Sequence, residues 1–223
     1  MVRDVQQPAR VPPAVRADPT DDAAFDELLP RALQAKASVH FTPVAVARFA
    51  ARLLAPEPGM SILDVGAGVG KFCITAALAL PGAHFVGVER RPHLVQIAHR
   101  LARRWAVPNV RFVHGDAFSL DWSLYDAFYL FNPFAEHMFG DAMAIDETFE
   151  LEPGAYILHV MAVRQRLSQA RLGARLVTYH GFGAPPPPEY DLAGAGSVGS
   201  DRVELWIKTR ELARERDAGE SLA

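Results

Sequence analysis

The chain has 223 residues and one cysteine, Cys73. No internal disulfide is possible, so the stability of the domain must come from a packed core, and a reducing compartment is the default. No apolar run is long enough to span a bilayer. The opening stretch MVRDVQQPARVPPAVRADPTDD has no apolar centre of the secretory kind. Both absences lead to the expectation of a cytoplasmic protein without a membrane partner. Net charge is also scarce, only -3. That removes any global electrostatic pull toward nucleic acid or an anionic surface. No Cys/His spacing suits a metal, so none is expected. No repeat is visible.

What is present is a core-forming chain in which half the residues are apolar. Residues 1–20 are rich in Pro, Arg, Asp and Ala without a period and read as a flexible arm. Residues 21–58 read as a helical cap. Asp21 and Asp22 open one helix, Pro30 interrupts it, and Thr42-Pro43 opens another, with Thr42 as its capping side chain. From 59 to 210 the pattern alternates. Apolar strands are predicted at 61–65, 84–89, 110–114, 127–131 and 175–179, with helices at 71–80 and 94–105 between them. The region 141–172 reads as mostly helical. Two further strands, 190–198 and 203–208, follow a proline run, and 211–223 form a tail. This is an α/β architecture: a Rossmann-like seven-stranded mixed sheet with helices on both faces and an N-terminal helical extension.

The first strand runs into a glycine loop, 61-SILDVGAGVGK-71. A phosphate-binding P-loop would need glycine at position 65 and a hydroxyl at 72, where Val65 and Phe72 stand. A dinucleotide loop would need a third glycine at position 71, which is Lys71. Asp64-Val65-Gly66-Ala67-Gly68-Val69-Gly70 instead resembles the D/E-x-G-x-G-x-G motif of class I S-adenosylmethionine (SAM)-dependent methyltransferases. That resemblance implies SAM as cofactor, with contacts from Asp64, Gly66, Ala67, Gly68 and Gly70. It also implies contacts from Glu89 and Arg90 after the second strand, Asp116, Ala117 and Phe118 after the third, and Asn132. In it Asp64 faces the cationic methionine tail, Glu89 the ribose hydroxyls and Asp116 the adenine amine. Ala117 and Phe118 offer a backbone NH and an apolar face.

The fourth strand ends in Asn132-Pro133-Phe134. This resembles a shortened [ND]-P-P-[YFW] motif of amino-group methyltransferases, with one proline where that motif has two. It implies that Asn132, Pro133 and Phe134 form the catalytic turn, holding an acceptor nitrogen in line with the methyl group. The stretch 41-FTP-43 resembles the lead-in of some adenine-N6 DNA methyltransferases and adds Thr42 as a cofactor contact. The layout of glycine loop, VGVE and HGDAF is also similar to the lysine methyltransferases of the telomeric-silencing family. A simple Asn-Pro turn leaving a strand remains the alternative for 132–134. Two other functions stay open: an NAD(P)-dependent oxidoreductase, which would share Glu89, and a non-catalytic SAM-binding partner protein. The acceptor is unassigned, and a protein, a nucleic acid or a small molecule each remain possible. Arg90, Arg91, Arg100, Arg103 and Arg104, with His93 and His99, read as a solvated helix face. His137, Tyr179, His180 and Phe182 are placed near the acceptor side, and Cys73 in the core.

Overall fold

The computed structural model describes residues 21–139, 144–146 and 154–211. Its sheet has the strands β1 (Ser61–Val65), β2 (His84–Glu89), β3 (Val110–His114), β4 (Ala127–Phe131), β5 (Arg175–Tyr179), β6 (Tyr190–Val198) and β7 (Asp201–Lys208). Their order is β3-β2-β1-β4-β5-β7-β6. β1 to β5 run parallel, and β7 lies antiparallel to both β5 and β6. Successive side chains alternate between two faces. Ile62, Ala127 and Tyr129 enter one core, Leu63, Phe128 and Leu130 the other. Central strands buried on both sides must be apolar throughout, which is why they read so clearly as continuous runs.

The helices are α1 (Asp22–Asp26), α2 (Arg31–Gln34), α3 (Ala37–His40), α4 (Val44–Leu54), α5 (Lys71–Ala79), α6 (Pro92–Arg104), α7 (Ala135–Phe139) and α8 (Ala155–Gln169). α5 is buried from Lys71 to Ala77 without a polar face. It packs on the sheet beside α4, which itself touches β4, β5 and β7 and whose Val46, Ala47, Ala50, Ala51 and Leu54 join the same core. The N-terminal extension therefore shares the core of the sheet domain instead of forming a separate layer. Its anchor is Lys71, 2% exposed. The ammonium pairs with Asp22 at 2.8 Å and Asp26 at 2.7 Å and sits over the Phe25 ring. On the opposite face α8 packs through Val160, Val163 and Leu167. The buried Lys208 ammonium donates to the Ser168 and Ala170 carbonyls at its end, a cation where the helix dipole favours one.

Several expectations are corrected. Thr42 does not cap α4; its hydroxyl lies 3.0 Å from that of Tyr129, and the Val44 amide donates to Asp22 instead. α6 begins at Pro92, which suits a first helical turn. α3 and α7 were not foreseen. Within 141–172, α8 is helical and 144–146 is not. The rest of that stretch up to Gly154, the arm at 1–20 and the tail beyond 211 lie outside the described residues.

Candidate functional site

β2 and β4 flank β1 on opposite sides, so the chain's winding reverses at the carboxyl ends of β1 and β4. Open α/β sheets form a crevice at such a point. Here it is a cavity of about 390 Å³. Gly66, Gly68, Glu89, Arg90, Asp116, Ala117, Phe118, Asn132, Pro133 and Phe134 all line it. Asp64, Ala67 and Thr42 instead border a small adjoining recess, about 20 Å³, that shares Gly66 with the cavity.

The glycine loop is fixed from below. The Gly66 and Ala67 amides both donate to the Val88 carbonyl, at 3.0 and 2.9 Å. Gly66 and Gly68 have φ of 80° and 55°, a left-handed region that other residues enter at a cost. A Cβ on Gly66 would lie 3.3 Å from Pro133, and one on Gly68 3.2 Å from the Phe41 ring. The loop thus leaves its backbone bare between the turn after β4 and the N-terminal extension. Gly70 does something else. It lines neither cavity nor recess, and a Cβ there would meet the Phe112 ring at 2.4 Å. Its bare Cα lets the start of α5 lie against Phe112 of β3, outside the cavity.

Three carboxylates end successive strands and differ in their surroundings. Asp64 is 4% exposed and accepts the Cys73 thiol proton at 3.3 Å. Burial pushes its carboxyl up from 3.8 to about 7; the thiol contact pulls the other way and the Glu89 charge adds to the rise. The Cys73 thiol is also pushed well up by burial. Glu89 is held by two amides, Gly68 to Oε2 at 3.0 Å and Arg91 to Oε1 at 2.8 Å. Each oxygen keeps lone-pair capacity for a further donor. Asp116 is exposed, and its Oδ1 accepts the Phe118 amide at 2.9 Å. That amide is therefore used internally, and Phe118 faces the cavity as a ring, not as a donor.

Asn132 has φ of 36°, a conformation that asparagine enters more readily than most residues. Its amide donates to the Gly181 carbonyl at 3.0 Å, tying the turn to the end of β5. Behind the turn, the Phe134 ring lies near-parallel to His159 (5.0 Å, 30°) and Phe118 (6.2 Å, 27°). His137 meets His159 at 4.9 Å. Tyr179 and His180 line the cavity as expected, with His180 Nδ1 2.8 Å from Asp201. Phe182 does not; it is buried in the core.

Other walls escaped the sequence. Ser38 to His40, Ile145 and His159 line the cavity, and no motif marks them. Arg91 is the clearest error of the solvated-face reading: it is buried and pairs with Glu136 at 2.6 Å and Asp146 at 3.3 Å. His93 reaches the same Asp146 at 3.0 Å. Arg100, Arg103 and Arg104 are exposed, as expected. Among the described residues no group of three potential ligands could hold a metal ion, and no helix is long and apolar enough to cross a membrane.

A parallel sheet with an antiparallel seventh strand inserted between β5 and β6, and a bare glycine loop and acid-tipped strands around one crevice, is the Rossmann-like fold seen in class I methyltransferases. Residues 56–147 match the family model described as "Methyltransferase domain". Among curated proteins, the chain is 39% identical over 84 residues to the 23S rRNA (uracil(1939)-C(5))-methyltransferase RlmD of Shewanella sp. (strain ANA-3). That match covers 38% of this chain and 18% of the relative. It is 34% identical over 64 residues to the release factor glutamine methyltransferase of Escherichia coli (strain K12), covering 29% and 23% of the two chains. The chain thus spans less than a quarter of the length of either protein. Among solved structures, an RNA methyltransferase from Salinibacter ruber in complex with S-adenosyl-L-homocysteine (SAH) aligns with a TM-score of 0.51 and 22% identity. The alignment covers 75% of this chain and 94% of that one. TrmN from Thermus thermophilus aligns with a TM-score of 0.54 and 21% identity, covering 78% and 52%. Both are likenesses of fold.

Proposed function

We propose that the protein is a SAM-dependent methyltransferase acting on an acceptor nitrogen at the Asn132-Pro133-Phe134 turn. The observation that carries this reading is the meeting of glycine loop and turn. Gly66 has no side chain where one would touch Pro133, so the backbone that would cradle a cofactor tail adjoins the turn that would hold the acceptor. The donor set fits the cofactor. Glu89, steadied by two amides, offers outward lone pairs to a pair of hydroxyls. Asp116 is exposed at the next strand end for an amine, and Phe118 offers a flat apolar face. Asp64 lies behind the loop as a latent counter-charge for a cationic tail. A dinucleotide would share Glu89 for its ribose, but its loop would want a third glycine where Lys71 stands.

When bound, the cofactor supplies a methyl group on a positively charged sulfur, already activated for displacement. What remains for the chain is alignment and exclusion of water. The Asn132 side-chain oxygen accepts an acceptor N–H and turns the nitrogen lone pair toward the methyl group. Pro133 stiffens the turn, and the Phe134 ring, backed by Phe118 and His159, supplies a flat wall.

Calorimetric titration with SAM, SAH and NADH separates the main alternatives. Binding of SAM and SAH, lost in Gly68→Arg, is expected; NADH binding in their place would refute the proposal in favour of an oxidoreductase. An Asn132→Ala variant should keep SAH affinity and lose about a hundredfold or more in methyl transfer. Equal turnover in variant and wild type would remove Asn132 from the chemistry.

A further inference from the structure

Arg91 stands between the two halves of the site. Its backbone amide donates to Glu89 Oε1 at 2.8 Å, on the cofactor side. Its buried guanidinium reaches across to Glu136 Oε2 at 2.6 Å and Asp146 Oδ2 at 3.3 Å. Glu136 lies two residues beyond Phe134, in α7. Its Oε2 also accepts the Ile145 amide at 3.1 Å, and Ile145 packs into the core while lining the cavity. The carbonyls of Ala144 and Ile145 are gripped from the N-terminal extension by the Lys36 ammonium, at 2.8 and 3.1 Å. Arg91, two residues beyond Glu89, therefore ties the end of β2 to Glu136 and Asp146, and Lys36 ties the adjoining 144–145 backbone to the N-terminal extension.

A guanidinium is suited to this because its planar fork can engage two carboxylates in fixed directions. The burial has a consequence. Glu136 and Asp146 are themselves largely shielded, with side chains 18% and 20% exposed, so removing the cation takes from both carboxylates the guanidinium they share, although Asp146 still faces His93 and Glu136 the Ile145 amide. The wall made by Glu136, His137 and Ile145 then loses its tie to the strand end that carries Glu89.

We propose that Arg91 is a positioning residue that couples Glu89, the carboxylate set to take the cofactor's ribose, to the acceptor wall, and that this clamp sets how long the cofactor stays bound. The proposal rests on the SAM reading given above. It concerns not which groups touch the cofactor but what holds the wall closed beside it.

The test follows tritiated SAH leaving the protein during a chase with unlabelled ligand. Arg91→Met and Glu136→Gln should each raise the dissociation rate by about tenfold or more, the scale of a charge-assisted link. Because they break the same link, the double variant should exceed the larger single effect by no more than about twofold. Arg91→Lys should fall between, since an ammonium is a point charge without the fork. Binding stoichiometry distinguishes this from damage to the fold: misfolding lowers the bound fraction and leaves the rate of the remainder unchanged. Should Arg91→Met fail to fold, Glu136→Gln, which keeps the side chain's shape, decides alone. Variants with full stoichiometry and the wild-type dissociation rate would overturn the clamp, as would additive effects in the double variant. Absence of SAH binding in the wild type would instead defeat the cofactor reading, and the clamp with it.

Discussion

Asp64→Asn should make the ligand-free protein more stable at neutral and alkaline pH. Burial pushes the Asp64 carboxyl from 3.8 to about 7, so the folded state keeps a proton that the unfolded chain releases near pH 4. Between those values the native state binds more protons than the unfolded one. Stability must therefore fall as pH rises, and level off above about pH 7. A gap of about three pH units at 1.36 kcal/mol each gives a full cost of roughly 4 kcal/mol. About 3 kcal/mol of it falls between pH 5 and pH 8. Asparagine keeps the shape and cannot ionise. Urea unfolding of wild type and variant at about pH 5 and about pH 8 isolates the effect, because every other titrating group is common to both. The wild type should lose about 3 kcal/mol relative to the variant over that interval. If the two curves run parallel to within about 1 kcal/mol, the carboxyl is already ionised in the folded protein and the reasoning fails. The same latent charge links to function. A cationic tail beside Asp64 would favour its ionised form, so SAM binding near pH 6 should release close to one proton. Titration in buffers of different ionisation enthalpy measures that release.

Three other substitutions probe packing around the site. Gly70→Ala puts a Cβ 2.4 Å from the Phe112 ring at a φ of 77°. It should cost more than about 2 kcal/mol in urea unfolding, while SAH affinity of the folded fraction stays near wild type; a selective loss of affinity would return Gly70 to the cofactor site. Lys71→Met removes the cation from Asp22 and Asp26. Since Asp22 is half exposed, a loss of about 1–2 kcal/mol is expected, with faster limited proteolysis between 27 and 36; unchanged cleavage would mean the extension is held by its apolar contacts alone. Thr42→Val leaves the Tyr129 hydroxyl in the core without its partner and should cost about 1–2 kcal/mol by thermal unfolding. A neutral result there would show that Tyr129 finds another acceptor.

The strands and the cofactor side of the crevice were legible in the sequence because both follow from local demands. A strand buried on both faces has to be apolar, as β4 is from end to end, while the edge strand β3 buries only Phe112 and still alternates; β1, β2, β3, β4 and β5 all occupy the predicted stretches. A backbone that must lie bare beside a ligand has to be glycine at Gly66 and Gly68, whatever surrounds it. The residues that hold the rest of the crevice together obey no such local rule. Gly70 looks like its neighbours in the motif, yet its freedom serves Phe112, which enters from β3. Arg91 follows the helix pattern of a solvated face, but it sits where the chain leaves the sheet, and its partners come from 45 and 55 positions later. Ile145 and Lys36 are joined across 109 positions by a contact between a side chain and a backbone carbonyl, which leaves no mark on residue type at the accepting end. His159 sits on a helix whose outer positions Ile157, Leu158 and Met161 are exposed, so periodicity gives no sign of which face turns inward. The legible residues are those whose own backbone or charge the ligand would engage. The illegible ones act by holding a second segment in place, and their identity is set by where that segment arrives. That division makes Arg91 the informative residue to perturb: its effect on cofactor dissociation tests a link that only the three-dimensional arrangement creates.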